Sequence, residues 1–189
     1  MRRALLHAVF AGTLACAGLF GGACASGPGG LRFSAERDGG LVKVSASVEL
    51  PVDPALAWQV LTDYDHYADF ISGLSESRVV QRSAEGIVIE QKGDIGVLFF
   101  RQPAHTRMLV REVPPTAVVS RGLEGNFRDL NGRYELQPAG SGVRLVYSGS
   151  FVPDFFLPPL IGMALVHHTL EKNFSELAAE IVRRAGAPK

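Results

Sequence analysis

The chain has 189 residues, and its 19 lysines and arginines balance 19 aspartates and glutamates, so the formal net charge is zero. A neutral chain is a poor candidate for nucleic-acid binding, because phosphate contacts need a surplus of basic residues. Hydrophobic residues make up 47% of the sequence and charged residues 20%, proportions of a folded globular protein that exclude wholesale disorder.

The amino terminus has the pattern of a secretory signal peptide. Two arginines precede an uncharged, mostly apolar run over residues 4–25, which ends in Ala23-Cys24-Ala25. We therefore predict a cleaved signal over residues 1–25 and export to the periplasm. Two alternatives stay open. The run is long enough to anchor the chain in a membrane, and Cys24 or Cys16 is a candidate acylation site of a lipoprotein. Cleavage would remove both cysteines.

Residues 26–40 are rich in glycine and polar side chains, which predicts a flexible linker ahead of one compact domain over residues 41–186. The segment Leu41–Leu50 alternates apolar and polar residues with the two-residue period of a strand. Asp53 and Pro54 then start a helix, with the aspartate as N-cap and the proline in the first turn. Aromatic residues between positions 64 and 71 predict a second short helical segment.

From residue 77 onward the apolar period changes to two, which predicts six more strands separated by turn residues. Short connections between consecutive strands predict antiparallel pairing. Pro103 falls inside the longest run, so we expect a sheet edge or a bulge at that position. The predicted strands cover residues 78–83, 86–92, 97–113, 117–123, 126–137 and 142–151.

The carboxyl-terminal segment predicts one long helix after Pro158-Pro159. Residues of one face recur at the three- and four-residue spacing of a helix that packs on a core, and charged residues fill the other side. Because a sheet must bury one face, we expect this helix to cover it. The positions on the packing face are Leu160, Met163, Val166, His167, Leu170, Phe174, Leu177 and Ile181.

Four stretches carry a pattern shared with a known superfamily: residues 52–64 (VDPALAWQVLTDY), 125–136, 142–147, and the proline-rich start of the last helix with residues 170–181. In their order, they resemble the START-like helix-grip superfamily (SRPBCC), and within it the polyketide cyclase/dehydrase and coenzyme-Q-binding branch. The resemblance covers residues 41–184.

The resemblance implies an α+β helix-grip fold. A curved antiparallel sheet of about seven strands would wrap around the long carboxyl-terminal helix, with a short helix pair after the first strand and an apolar cavity between sheet and helix. Members bind lipids, quinones, polyketides or other hydrophobic ligands, and a minority catalyse cyclisation or dehydration. The export signal is a departure, because the quinone-binding members act inside the cell or organelle.

The resemblance also implies that apolar residues facing the space between sheet and helix line a ligand cavity. A filled core has the same sequence pattern, so that alternative stays open. Tyr134 and Tyr147 would supply hydroxyl groups that orient a ligand. The predicted ligand-binding residues are Trp58, Phe70, Leu130, Tyr134, Leu145, Tyr147, Phe151, Phe155, Phe156, Met163, His167, Leu170 and Phe174.

Polar residues outside the cavity pattern give weaker indications. Neighbouring helical residues such as His167 and His168 point in different directions and cannot easily share a metal ion, so we predict neither a metal site nor a cofactor. The acidic turn over residues 63–69 is either a general acid–base cluster or a solvated helix end. No pattern typical of a catalytic nucleophile is present, so we assign no catalytic residue.

A strongly apolar run over residues 151–161 leads into the last helix. It is either a gate that admits ligand, with transient membrane contact, or a plug that closes the end of the sheet. We expect an exported protein that binds or carries a lipid, an isoprenoid quinone or a polyketide-like aromatic compound. The alternatives are a cyclase or dehydratase acting in the same cavity, and a protein-interaction module with a closed cavity. Ligand identity and oligomeric state stay open.

Overall fold

The computed structural model describes residues 30–97 and 100–186, whose strands form one antiparallel sheet. The strands are β1 Arg32–Asp38, β2 Leu41–Leu50, β3 Leu74–Ser83, β4 Gly86–Val97, β5 Phe100–Val113, β6 Ala117–Gly125, β7 Phe127–Ala139 and β8 Gly142–Pro153. They lie in the order β1-β2-β8-β7-β6-β5-β4-β3. Every pair of sheet neighbours except β2 and β8 is therefore consecutive in sequence. The predicted signal peptide lies outside the described residues.

The helices are α1 Pro54–Leu61, the 3₁₀ turn Tyr64–His66, α2 Tyr67–Phe70 and α3 Gly162–Ala185. Helix α1 starts as the sequence predicts, because the Asp53 carboxylate accepts a hydrogen bond of 2.7 Å from the Ala55 N–H. Within the described ranges, no helix is both long and apolar enough to cross a membrane. The fold is the predicted α+β arrangement, with a short helix pair and one long carboxyl-terminal helix.

The sheet has eight strands, where the sequence predicts about seven. The additional strand is β1, which lies at the sheet edge within the segment assigned to a flexible linker and pairs with β2 over its whole length. Its sequence alternates only two apolar residues, Phe33 and Ala35, with polar ones. Such a short pattern is hard to distinguish from a glycine-rich linker. The segment is a strand because it pairs with β2.

Strand β4 continues through Gly93-Asp94, where the sequence predicts a turn. Gly93 instead permits a close approach, since a Cβ on this residue would lie 2.0 Å from the Gly73 carbonyl oxygen. That same oxygen accepts a hydrogen bond of 3.1 Å from the Asp94 N–H. The loop between α2 and β3 therefore crosses directly over β4, and only glycine leaves room for it.

Pro103 lies where β5 pairs with β4 alone, as predicted for a proline at a sheet edge. Pairing with β6 begins at Thr106, opposite Gly125. Beyond that point, hydrogen bonds with the Asn126 side chain take the place of backbone pairing with β6. Its Oδ1 accepts from the His105 N–H at 2.9 Å, and its Nδ2 donates to the Pro103 carbonyl at 2.6 Å. Strands β5 and β6 separate at this end of the sheet.

Helix α3 packs across one face of the sheet, and its carboxyl end is tied to the helix pair by Arg184. The guanidinium lies 2.7 Å from Asp63 and 2.7 Å from Glu180, and its carbon lies 5.7 Å from the Phe70 ring centre. Hydrogen bonds from Arg183 and Arg184 outweigh the effect of burial and lower the pKa of the Glu180 carboxyl to about 2. A charged network therefore fixes the helix end.

Candidate ligand-binding cavity

A row of small residues crosses the middle of the sheet on the face that α3 covers. Ser120 of β6 lies opposite Gly132 of β7, which lies opposite Gly149 of β8. Larger residues flank the row, with Val110 paired to Ser120 and Val44 paired to Gly149. Because paired residues project to the same face of a sheet, three neighbouring strands present very little side-chain volume here. The two glycines make room for the Tyr147 side chain, and Ser120 borders a hollow between sheet and helix.

The first compartment of this hollow has a volume of about 190 Å³. Its wall is mostly apolar, and its polar groups are uncharged amides and hydroxyls from residues such as Gln91, Ser120 and Asn173. The amide of Asn173 lies against Gly73, and its buried Oδ1 has no hydrogen-bond partner within the described parts of the chain. The compartment is suited to an apolar molecule.

A second compartment of about 170 Å³ adjoins the first. It extends beneath β4 and β5 toward Phe127 and Phe151. Taken together, the compartments reach the lower end of the range of roughly 300–1,000 Å³ found for small-molecule sites. The residues bordering both compartments are Leu74, Gln91, Met108, Tyr147, Leu170 and Asn173.

Tyr134 and Tyr147, the tyrosine pair, lie on the wall of the first compartment with ring centres 4.6 Å apart. Tyr134 also stacks on Phe174 at 6.5 Å. Tyr147 lies along the small-residue row, since a Cβ on Gly149 would come within 2.3 Å of its hydroxyl oxygen. Burial raises the pKa of Tyr147 to about 12 and that of Tyr134 well above its ordinary value. Both stay protonated at neutral pH, so they act as hydrogen-bond donors and acceptors rather than as bases.

Two further tyrosines of the wall already have protein partners. The Tyr64 hydroxyl donates to Glu112 at 3.0 Å, and the Tyr67 hydroxyl donates to the Leu61 carbonyl at 2.7 Å. Neither hydroxyl of the tyrosine pair has a hydrogen bond to another residue in the described part of the protein. The tyrosine pair and the Asn173 amide are therefore polar groups of the cavity wall that a ligand can use.

Six of the predicted ligand-binding residues lie on the cavity wall: Leu130, Tyr134, Tyr147, Phe151, Leu170 and Phe174. They come from β7, β8 and α3, where the alternation and the helical period were clear in the sequence. The structure places the other predicted residues elsewhere, namely Trp58, Phe70, Leu145, Phe155, Phe156, Met163 and His167.

Met163 and His167 lie on the side of α3 that β1 covers, which corrects their assignment to the cavity. The His167 ring packs edge-on against Phe33 with ring centres 4.8 Å apart, and its Nδ1 lies 3.5 Å from a Glu171 carboxylate oxygen. Met163 belongs to the same apolar cluster as Phe33. Strand β1, which covers this side of the helix, is not predicted from the sequence. The residues of α3 that border the cavity are Thr169, Leu170, Asn173 and Phe174.

Trp58, Phe70 and Leu145 contribute to packing around the cavity. Leu145 is fully buried in the main core, and Trp58 is partly buried against it. Phe70 packs on Tyr67 with ring centres 5.5 Å apart and lies beneath the Arg184 guanidinium. Core and cavity positions are both buried, so a periodic pattern does not separate them.

The apolar run before α3 has a buried part and an exposed part. Phe155 packs edge-on against Phe127 at 5.4 Å. Phe156, Leu160 and Ile161 are exposed by 70%, 96% and 50%, and we name these three residues the apolar patch. Leu160 precedes the helix and takes no part in its packing face, contrary to the prediction.

Much of the remaining wall comes from β4, β5 and β6, which the sequence analysis did not assign to the site. Ile89, Met108, Val110, Val118 and Ser120 all border the first compartment. Each occupies an alternating inward position, a signal present in the sequence. Only the strand register, however, aligns the small residues of β6, β7 and β8 into one row.

The acidic turn serves as a structural connection. Asp63 contacts the His66 Nδ1 at 2.6 Å and Arg184 at 2.7 Å, and Asp65 accepts from the Val79 N–H at 2.7 Å. These contacts join the helix pair to α3 and β3. Across residues 30–97 and 100–186, no group of three histidine, cysteine, aspartate or glutamate residues is placed to hold a metal ion.

The arrangement of an antiparallel sheet and a long carboxyl-terminal helix has counterparts in known proteins. Residues 42–186 match the family described as polyketide cyclase/dehydrase and lipid transport. The chain belongs to this family. The START-like resemblance inferred from the sequence is confirmed by this match. No curated protein matches the chain.

Solved structures show the same helix-grip fold. The protein TTHA0849 from Thermus thermophilus has a TM-score of 0.64 and 17% identity, over 77% of this chain and 99% of its own. The Zhui aromatase/cyclase from a Streptomyces species has a TM-score of 0.62 and 18% identity, over 78% and 97%. A STAR-related lipid transfer protein from Xanthomonas axonopodis has a TM-score of 0.56 and 13% identity, over 79% and 98%. At these identities the likeness concerns the fold alone.

Proposed function

We propose that this family member binds and carries a hydrophobic small molecule in the two-compartment cavity. The observation that carries the proposal is the pair of adjoining compartments between the sheet and α3, of about 190 and 170 Å³, with the small residue Ser120 on the wall of the first. Protein interiors retain few voids larger than a water molecule. Two adjoining voids with mostly apolar walls are therefore best understood as the place of an occupant.

Ligand affinity would come from burial of apolar surface, which contributes about 25 cal/mol per Å² before the costs of ordering the ligand. The tyrosine pair would orient a carbonyl or hydroxyl group within the first compartment. The family description and the names of two structural neighbours, a lipid transfer protein and an aromatase/cyclase, support a lipid or a polyketide-like aromatic compound as the ligand. An isoprenoid quinone is the third candidate.

Native mass spectrometry of the purified protein tests this proposal. We expect one small molecule to travel with the folded protein, to be removed by delipidation, and to rebind with a stoichiometry of one. A delipidated protein that takes up no lipid, quinone or aromatic compound, while staying folded, would refute the proposal. An extract of the bound fraction would identify the ligand class.

The tyrosine pair supports a second candidate function, that of a cyclase or dehydratase acting in the same cavity, because hydroxyl donors can polarise a carbonyl group. The variant Tyr147→Phe separates the two functions. Loss of turnover with binding retained supports the enzyme. A wild-type protein that binds a polyketide-like aromatic compound without converting it supports carriage alone.

We also propose transient membrane contact through the apolar patch. Its three residues are exposed and adjacent to the start of α3, where apolar side chains in water have no packing role. The double variant Phe156→Ser/Leu160→Ser should slow transfer of a fluorescent fatty acid from vesicles, with binding in solution unchanged. The matched control is Leu123→Ser on β6, which also removes an exposed apolar side chain. Equal slowing by both variants would refute a specific role of the patch.

We propose that the chain is exported by its amino-terminal segment, on the basis of the sequence pattern alone. Expression of the full chain followed by intact-mass analysis of the periplasmic fraction should show loss of residues 1–25. The variant Cys24→Ser should leave the processing unchanged. A cytoplasmic protein of full length would refute export, and a mass increase that Cys24→Ser abolishes would establish the lipoprotein alternative.

A further inference from the structure

The second compartment continues into a cleft on the protein surface. This cleft has a volume of about 540 Å³ and lies between the α2–β3 loop, the end of β4 and α3. A molecule in the cavity can therefore extend to the surface along one continuous wall. The residues bordering both the second compartment and the cleft are Gly73, Leu74, Gly93, Asp94, Thr169 and Asn173.

The cleft carries the cationic side chains that the first compartment lacks. These cations are Lys172 and Arg101, and the wall also includes His168 and one carboxylate, that of Asp94. The ion pairs of both cations are long, with Lys172 Nζ 3.8 Å from Glu176 and the Arg101 guanidinium 3.8 Å from Asp94. Hydrogen bonds between charged groups measure about 2.7–2.9 Å. Both cations therefore keep N–H donors for another acceptor.

Glu176 has other partners, which reduces its competition for Lys172. Its carboxylate accepts hydrogen bonds from the Ser72 N–H at 2.9 Å and from the Ser72 hydroxyl at 2.7 Å. These two bonds hold the α2–β3 loop, one wall of the cleft, against α3. The geometry leaves Lys172 directed to the cleft rather than fixed in a tight ion pair.

The cleft also lies next to the apolar patch. Ile161 of the patch, His168 and Lys172 are exposed and follow one another at the spacing of a single helix face. Along this face an apolar surface leads into a cationic one. That order matches a molecule with an apolar body and an acidic end.

We propose that the ligand is an amphiphile whose anionic head, a carboxylate or a phosphate, lies in the surface cleft against Lys172 and Arg101. Its apolar part fills the two compartments. This inference rests on the proposed function and adds the chemical class of the ligand. The amphiphile would keep its charge in the solvated cleft, where desolvation costs less than in the cavity.

Matched ligand pairs with one tail test the inference by calorimetry on the delipidated protein. The first pair is dodecanoate and methyl dodecanoate, and the second is dodecyl phosphate and dodecanol. We expect the anion of at least one pair to bind about tenfold more tightly than its neutral partner, the effect of one charge-assisted hydrogen bond. The pair with the larger difference identifies the head as carboxylate or phosphate.

The double variant Arg101→Gln/Lys172→Gln should lower the affinity for the preferred anion about tenfold and leave the neutral ligand unaffected. The control is Arg121→Gln, an exposed arginine of β6 on the opposite face of the sheet, which should change neither affinity. Equal affinities within both pairs, or equal losses in both variants, would overturn the head site while leaving carriage intact. Failure of all four ligands, while a quinone or an aromatic compound binds, would overturn the amphiphile and leave carriage intact. Failure of all of these ligands to bind would refute the proposed function itself.

Discussion

Filling the small-residue row is the sharpest perturbation of the cavity. Ser120 projects into the first compartment, and its only hydrogen bond within the described residues is a long one of 3.3 Å to the Gly132 carbonyl. The variant Ser120→Leu places an isobutyl group in a space of about 190 Å³. If the space is empty without ligand, leucine should stabilise the fold and exclude the ligand at the same time.

The expected magnitude follows from three contributions. Leucine adds three buried carbons where serine has one oxygen, which contributes roughly 2.4 kcal/mol at about 0.8 kcal/mol per carbon. Loss of leucine rotamer freedom costs about 0.5–1 kcal/mol, and loss of the weak serine hydrogen bond costs about 0.5 kcal/mol. The free energy of unfolding should rise by about 1 kcal/mol, and the melting temperature by about 2–4 °C.

Two measurements on each variant separate the outcomes. Denaturant unfolding is followed by the fluorescence of Trp58, the single tryptophan of the chain. Binding of dodecanoate is followed by calorimetry and should weaken at least about tenfold, since leucine takes ligand volume. The control Ser148→Leu makes the same change at an exposed position on the other face of β8. It should alter stability by less than about 0.5 kcal/mol and leave binding unchanged.

One combination of results contradicts the reasoning. If Ser120→Leu lowers the unfolding free energy by more than about 1 kcal/mol while dodecanoate binds as to wild type, overpacking has occurred in a space that was already filled. The ligand would then bind elsewhere on the protein.

Three further changes test neighbouring parts of the structure. Tyr147→Phe should leave the free energy of unfolding within about 0.5 kcal/mol of the wild-type value, because the hydroxyl has no described protein partner. It should weaken the binding of a carbonyl-bearing ligand about fivefold. A larger loss of stability in urea titrations would point to a structural role. Glu180→Gln should lower the free energy of unfolding by about 2 kcal/mol at pH 7, because the pKa of this carboxyl is about 2 in the folded state. The stability that the carboxylate contributes is present above about pH 4.5 and is lost as the pH falls toward 2. A difference in melting temperature that does not shrink toward pH 2 would contradict this assignment. Glu176→Ala removes both hydrogen bonds from Ser72 and should speed ligand release severalfold in stopped-flow measurements; equal acceleration by Glu171→Ala, on the same helix, would exclude a specific role of the loop contact.

Most of the fold was predictable because its strands and the last helix have long, regular periods. The capped start of α1 was predictable for a different reason, since Asp53 and Pro54 act through local geometry alone. Strand β1 was not predictable, because its two apolar residues gain their significance only from pairing with β2. Gly93 has the sequence pattern of a turn, although its role is to admit the loop that carries Gly73.

The site was predictable only in part, because a cavity is a property of alignment across strands. Tyr134 and Tyr147 carry a clear signal, since each lies on an inward position of a regular strand. The row of small residues has no signal within any one strand, because Ser120, Gly132 and Gly149 meet only through the register. For His167 the helical period is clear in the sequence, but the residue that it packs against, Phe33, belongs to the unpredicted strand β1.

Photo-crosslinking with a diazirine-bearing fatty acid tests the central claim most directly. After irradiation and peptide mapping, we expect labels on cavity residues such as Met108, Tyr134, Tyr147 and Phe174, with strong reduction in Ser120→Leu. Labels confined to the apolar patch or to the outer face of the sheet, unchanged in Ser120→Leu, would contradict the claim that the cavity holds the ligand.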